Sequence, residues 1–121
     1  MQRGNETFPR THRLLDSSSF DLTFRSGNRT GDSYFAVYRR PNELSHPRLG
    51  IAVSRKAVRN AAARNRIKRL IRESFRRIAQ RLPEVDFVVQ VRGAAQEQTN
   101  ARLSSSLSRL FGTSSRRRLQ D

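Results

Sequence analysis

From Ser54 to Arg81 the chain carries eleven basic residues against a single acid, Glu73, so these 28 residues hold +10 of a formal net charge of +15. The same stretch repeats apolar side chains at helical spacing. Ala63, Ile67, Leu70, Ile71, Phe75, Ile78 and Leu82 share one face of a helix expected over about Asn60 to Leu82 and stopped by Pro83. At about 100° per residue, Asn65, Lys68, Arg69, Arg72 and Arg76 fall on the opposite side. Such a helix fits only a fold that buries the apolar face and leaves the cationic one uncovered. Ordinary solvated faces mix signs, whereas one this uniform repels itself unless a polyanion neutralises it. Glu73 stands four residues from both Arg69 and Arg77 and can pair with either. A membrane-surface helix shows the same amphipathicity, but here the flanking strands need the apolar face to close a core.

With 121 residues the chain has room for one domain with a modest core. Around the basic helix it reads as short elements. Asp16 or Ser17 is placed to cap a helix running to about Ser26, with Phe20 and Phe24 stacked one turn apart and Gly27 as its stop. Ser33 to Arg40 reads as a strand ended by Pro41, and Pro41 to Pro47 as a polar turn. Leu49, Ile51 and Val53 alternate as a second, half-buried strand, and the pair is expected to form an antiparallel hairpin. Phe87, Val89 and Val91 alternate as a third strand in DFVVQVR. Thr99 is placed to cap a last helix with Leu103, Leu107, Leu110 and Phe111 on its apolar face. The expectation is an α+β sandwich, helix-strand-strand-long helix-strand-helix, with a small sheet covered by helices. Residues 1–12 are expected to be a flexible arm, 13–111 the single domain, and 112–121 a disordered basic tail.

Several function classes are excluded. Without Cys there is no disulfide scaffold, thiolate zinc site or cysteine nucleophile. No apolar run approaches the roughly 20 residues of a membrane span, and MQRGNETFPRTHR lacks the apolar stretch of a secretory signal. A cytoplasmic location and no membrane partner are therefore expected. Phosphodiester cleavage normally needs carboxylates around divalent metals or a His pair. The ten acids are scattered, the nearest pair, Glu84 and Asp86, reads as solvated turn residues, and His12 and His46 stand in flexible or turn segments. No glycine-rich phosphate loop points to a small-molecule substrate. The chain reads as a binder rather than a catalyst. Of its 25 cations 23 are Arg, whose planar fork suits phosphate, although genome composition alone produces the same bias. Phe20, Phe24, Tyr34 and Tyr38 are either core or the lining of a groove where single-stranded bases stack.

The segment RLGIAVSRKAVRNAAARNRIKRLIRESFR, Arg48 to Arg76, resembles the signature of the bacterial ribonuclease P protein component, with the RNR motif in ARNRIKRLIRESF, Ala63 to Phe75. The resemblance spans about residues 8 to 111, taking in RLLDSSSFDLTFRSG, FAVY, DFVVQVR and SLSRLF. It implies an αβββαβα-like fold with a left-handed βαβ crossover, like the second domain of the fifth small-subunit ribosomal protein. It also implies a partner, the catalytic ribonuclease P RNA, one protein per RNA, and precursor tRNA as substrate, whose 5′ leader the complex removes. Catalytic Mg2+ would be held by the RNA and substrate, with no cofactor bound by the protein alone. By resemblance Arg64, Asn65, Arg66, Lys68, Arg69 and Arg72 are RNA-contacting, as are Arg55 and Lys56 after the second strand; Arg76 joins them by its place on the cationic face. Phe20, Phe24 and Tyr38, with Tyr34, would line the leader cleft. The spacer AVRNAAA is Ala-rich where relatives often have a Gly-containing turn, and RRRLQD matches no family pattern. A ribosomal or general RNA-binding protein explains the charge equally well but not the motif with its flanking strands. A major-groove DNA helix would need a short turn and a partner helix.

Cations clustered this densely make the free domain sensitive to anions. Millimolar sulfate or phosphate should bind the folded form and raise its melting temperature by mass action, measured by thermal unfolding. A melting temperature that follows monovalent salt but ignores sulfate would reduce the effect to screening.

Overall fold

Apolar alternation and capping chemistry account for most of the elements. The computed structural model describes residues 13, 17–42, 44, 46–82 and 84–120. In chain order these are α1 (Ser17–Ser26), β1 (Asn28–Gly31), β2 (Phe35–Pro41), β3 (Arg48–Ala52), α2 (Ala61–Ile78), a 3-10 turn (Ala79–Arg81), β4 (Val85–Val91), a second 3-10 segment (Gly93–Glu97) and α3 (Asn100–Gln120). Thr99 Oγ1 accepts from Arg102 N–H at 3.2 Å, as its capping role requires. The alternative first cap, Asp16, and the helix stop Pro83 lie outside the described residues, as do His12 and the whole N-terminal arm.

The four strands form one mixed sheet in the order β1-β2-β4-β3. The expected hairpin of β2 with β3 is not made: β4 lies between them, antiparallel to β2 (Val37 opposite Val89) and parallel to β3 (Ile51 opposite Val89). The reason is burial. Phe87, Val88 and Val89 are all fully buried, so β4 is apolar on both faces and takes the centre, which needs the α2 crossover to bring it parallel beside β3. The antiparallel neighbour of β2 is instead β1. Asn28–Gly31 has no apolar alternation, and it forms a strand because the outer edge of β2 offers a hydrogen-bonding ladder. The tight junctions around β1 require glycine: a Cβ on Gly27 would lie 2.6 Å from the Thr23 carbonyl oxygen, and one on Gly31 2.8 Å from that of Phe35.

One face of the sheet carries Phe35, Val37, Leu49, Phe87, Val89 and Val91 into a core closed by Ile67, Ile71 and Phe75 of α2 and Leu103, Leu107, Leu110 and Phe111 of α3. Phe75, Phe87 and Phe111 meet edge-to-face, with centroids 5.5 to 6.1 Å apart, worth about 0.5–1.5 kcal/mol per pair beyond burial. The long helix ends four residues before Leu82, because the last turn tightens to 3-10 and Leu82 N–H donates to Ala79 O at 3.2 Å as that side chain turns into the core. α3 spans Asn100–Gln120. The ladder begun at Asn100 continues through Gly112, and no proline follows to break it.

Two carboxylates tie the sheet together. Asp86 is buried on β4, not solvated in a turn as its neighbour Pro83 led one to expect, because its strand partner is Arg48. Arg48 Nε and Nη2 donate to its two oxygens at 2.9 and 2.8 Å, and Asn42 Nδ2 donates at 2.9 Å. Glu84 remains exposed. Asp32, in the β1–β2 turn, accepts from the N–H groups of Tyr34 and Phe35 at 2.9 and 3.0 Å, from Ser106 Oγ, and from Arg109 Nη2 of α3 at 2.8 Å. Burial alone would raise the Asp32 pKa. The bonds from Ser106, Tyr34 and Phe35 and the Arg109 charge outweigh it and hold the carboxyl below its usual range.

Asp86→Ala removes the carboxylate that Arg48 and Asn42 share in a mostly buried site and should cost about 3 kcal/mol, measured by urea unfolding at unchanged m-value. The Asp32 carboxylate is depressed in the folded state, so its stabilisation is fully present above about pH 4 and lost as pH falls through the lowered value. Asp32→Asn should cost about 2 kcal/mol at pH 7 and flatten the acid limb of the stability curve. An unchanged acid limb would contradict the role given to Asp32.

Candidate nucleic-acid interface

Burial of one side of α2 dictates what the other side presents. Asn60 caps the helix, its Oδ1 accepting from Ala63 N–H at 2.9 Å, so the Ala-rich spacer starts the helix at Ala61. With Ile67, Ile71 and Phe75 fully buried, Asn65, Arg69 and Arg72 are exposed on the outer side and Lys68 and Arg76 half-buried along its margins. Glu73 pairs with Arg76 at 3.2 Å and with Arg77 at 3.7 Å, rather than with Arg69. Exposed pairs of this kind contribute only a few tenths of a kcal/mol. Asn65 to Arg76 span about 16 Å along the helix axis, a row of donors suited to a phosphate backbone.

The turn before α2 is built by its own backbone. Val58 N–H donates to Ser54 O and Ala57 N–H to Ser54 Oγ, both at 3.0 Å, while the fully buried Val58 anchors the loop. Arg55 and Lys56 are thereby left exposed. The two arginines of the motif turn away from the outer row. Arg64 Nη1 donates to Val58 O at 2.9 Å and Arg59 O at 3.1 Å. Arg66 sends Nη2 to Gln96 O at 3.1 Å and Nη1 to Gln98 O at 3.5 Å and to Asn100 Oδ1.

On the other face of the sheet α1 lies over β2 and β4. Thr23 is fully buried there, with its hydroxyl donated to Ser19 O at 2.9 Å. Ala36 and Val88 are buried on this face, and above them Phe24 packs on Tyr38 with centroids 4.8 Å apart and on Phe20 at 6.4 Å. All three rings are half-buried, so each keeps surface on which a base can stack. Tyr34 does not join them. It precedes β2 in the turn held by Asp32, outside the strand alternation, and packs against the core cluster. The sequence reading missed Gln90, whose Oε1 accepts from the Tyr38 hydroxyl at 3.3 Å. It also lines a cavity of about 350 Å³ with Ala52, Val53, Ser54, Ala57 and Val91. Its signal was a lone amide in the apolar run VDFVVQV.

Among the described residues no group of three or more His, Asp or Glu side chains gathers as a metal site, and no helix is long and apolar enough to cross a membrane. A sequence model of the Ribonuclease P family matches residues 8–115. The Ribonuclease P protein component of Methylococcus capsulatus is 48% identical over 100 residues, covering 83% of this chain and 78% of that protein. That of Aliivibrio fischeri is 41% identical over 112 residues, covering 93% and 96%. The solved RNase P protein of Staphylococcus aureus matches with a TM-score of 0.78 at 33% identity, covering 84% of this chain and 94% of that one. The Thermotoga maritima RNase P protein matches with a TM-score of 0.74 at 33% identity, covering 84% and 96%. A cationic helix carrying ARNRIKRLIRESF on one face of a mixed sheet, three half-buried aromatic rings on the other, and matches over most of both chains establish that this chain belongs to the ribonuclease P protein component family.

Proposed function

We propose that the chain serves as the protein subunit of a ribonuclease P ribonucleoprotein, one protein per RNA in the cytoplasm. It lays the outer face of α2 on the phosphates of the catalytic RNA and holds the 5′ leader of precursor tRNA in the aromatic cleft. Asn65, Lys68, Arg69, Arg72 and Arg76 make the RNA-facing row, and Arg55 and Lys56 extend it at the end of β3. Phe20, Phe24 and Tyr38 stack the unpaired bases of the leader, each stacked base contributing about 1–3 kcal/mol. This binding lowers the substrate concentration the complex needs and leaves the bond-breaking step to the RNA and its Mg2+. The observation that carries the reading is one domain with two separate surfaces: a helix face on which cations far outnumber the one acid, Glu73, and three half-buried rings on the opposite side of the sheet. The disposition of the acids supports it, since Asp32, Asp86 and Glu73 are each paired with arginine.

The test is precursor-tRNA cleavage at low Mg2+ with protein alone, ribonuclease P RNA alone, and both. Activity should rise only in the mixture. Cleavage by the protein alone would place chemistry in this chain, and no stimulation of a competent RNA would favour a general RNA-binding role. Within the complex, Tyr38→Ala should weaken binding of leader-bearing precursor about tenfold and leave mature tRNA affinity nearly unchanged. An equal loss on both substrates would remove the leader from the cleft.

A further inference from the structure

We propose that Arg64 and Arg66, the two arginines of the RNR motif, are positioning residues: they hold the segments that pack beside α2 and so fix the helix that carries the RNA-facing row. The inference rests on reading the outer face of α2 as the surface that meets the RNA. Arg66 commits both terminal nitrogens to one neighbouring segment, bonding Gln96 O, Gln98 O and Asn100 Oδ1. These acceptors sit where the Gly93–Glu97 segment ends, leaving its last carbonyls without helical partners, and α3 begins. A planar guanidinium reaches three divergent acceptors at once, whereas an ammonium is a point donor on a flexible stem. Arg66 thus pins the start of α3 against α2, beside the cavity of about 310 Å³ that it lines with Arg69, Arg77 and Ser104. Arg64 does the same upstream. One nitrogen gathers the carbonyls of Val58 and Arg59, closing the turn from which Arg55 and Lys56 project. Asn65, the residue between the two arginines, stays exposed.

The two roles separate in their salt dependence. An arginine that neutralises a phosphate releases counterion on binding, so its loss lowers the slope of log affinity against log salt by roughly 0.7–0.9. A positioning arginine displaces no ion, and its loss weakens binding at constant slope. The experiment titrates the full chain against ribonuclease P RNA between about 50 and 200 mM salt, with the folded fraction of each variant checked by circular dichroism. Arg69→Ala should flatten the slope. Arg66→Ala should weaken binding about tenfold with the slope of the unmodified protein, and Arg66→Lys, which keeps the charge, should fail to rescue it. Asn100→Ala removes an acceptor without altering charge, and should shift affinity in the same direction at the same slope. It also keeps the test open should Arg66→Ala not fold. A flattened slope in Arg66→Ala, rescue by lysine, or unchanged affinity in Asn100→Ala would each overturn the proposal. If Arg69→Ala changes neither slope nor affinity, the reading of the α2 face fails instead.

Discussion

Strand β4 is buried on both faces, with Gln90 alone half-buried. Phe87 and Val89 enter the core under α2 and α3, while Val88 lies beneath α1 on the other face. A strand buried on both faces must be central and must be covered twice, because its ladder and its side chains both have to be satisfied away from solvent. The rest of the architecture follows from that need. The crossover through α2 brings β4 parallel to β3, the turn from β1 into β2 supplies the outer edge, and the covering helices end on opposite sides of the sheet. The separation of a cationic face from an aromatic one is a consequence of that double cover.

Charge is arranged on the same plan. A chain with 25 cations and 10 acids cannot neutralise itself, and two of the described acids, Asp86 and Asp32, are placed where they hold the fold. Asp86 joins β4 to β3 and to Asn42 in the loop after β2, and Asp32 joins the β1–β2 turn to α3. Glu73 meets Arg76 and Arg77 at one end of α2. Arg55, Lys56, Arg69 and Arg72 are left on the surface, where a polyanion would relieve their repulsion. The fold therefore carries an electrostatic strain that its own composition does not resolve, which is the physical basis for reading it as one part of a ribonucleoprotein.

Local chemistry made much of this legible. Periodicity located all three helices, with Thr99 and Gly27 marking boundaries that the structure keeps. The outer row of α2 followed from spacing alone, and the Phe20–Phe24 pair from its one-turn interval. Strand pairing was misjudged, since neighbouring strands in sequence were expected to be neighbours in the sheet, and β1 went unseen because Asn-Arg-Thr-Gly carries no alternation. Asp86 looked solvated because its partner Arg48 is 38 residues away. Tyr34 looked like a cleft residue because the strand was extended two positions too far towards the N-terminus.

The amino-acid sequence by itself determined that one long helix would be apolar on one side and cationic on the other, and that the chain would answer to a polyanion. Both are properties of residues three and four apart, which any helix brings together. Only the tertiary structure decided that β4 separates β2 from β3, that Gln90 stands behind Tyr38, and that Arg64 and Arg66 point to the flanking segments instead of the outer row. These depend on contacts between residues distant in the chain, where the partner is chosen by which surfaces must be buried together and by which carbonyls are left without a donor.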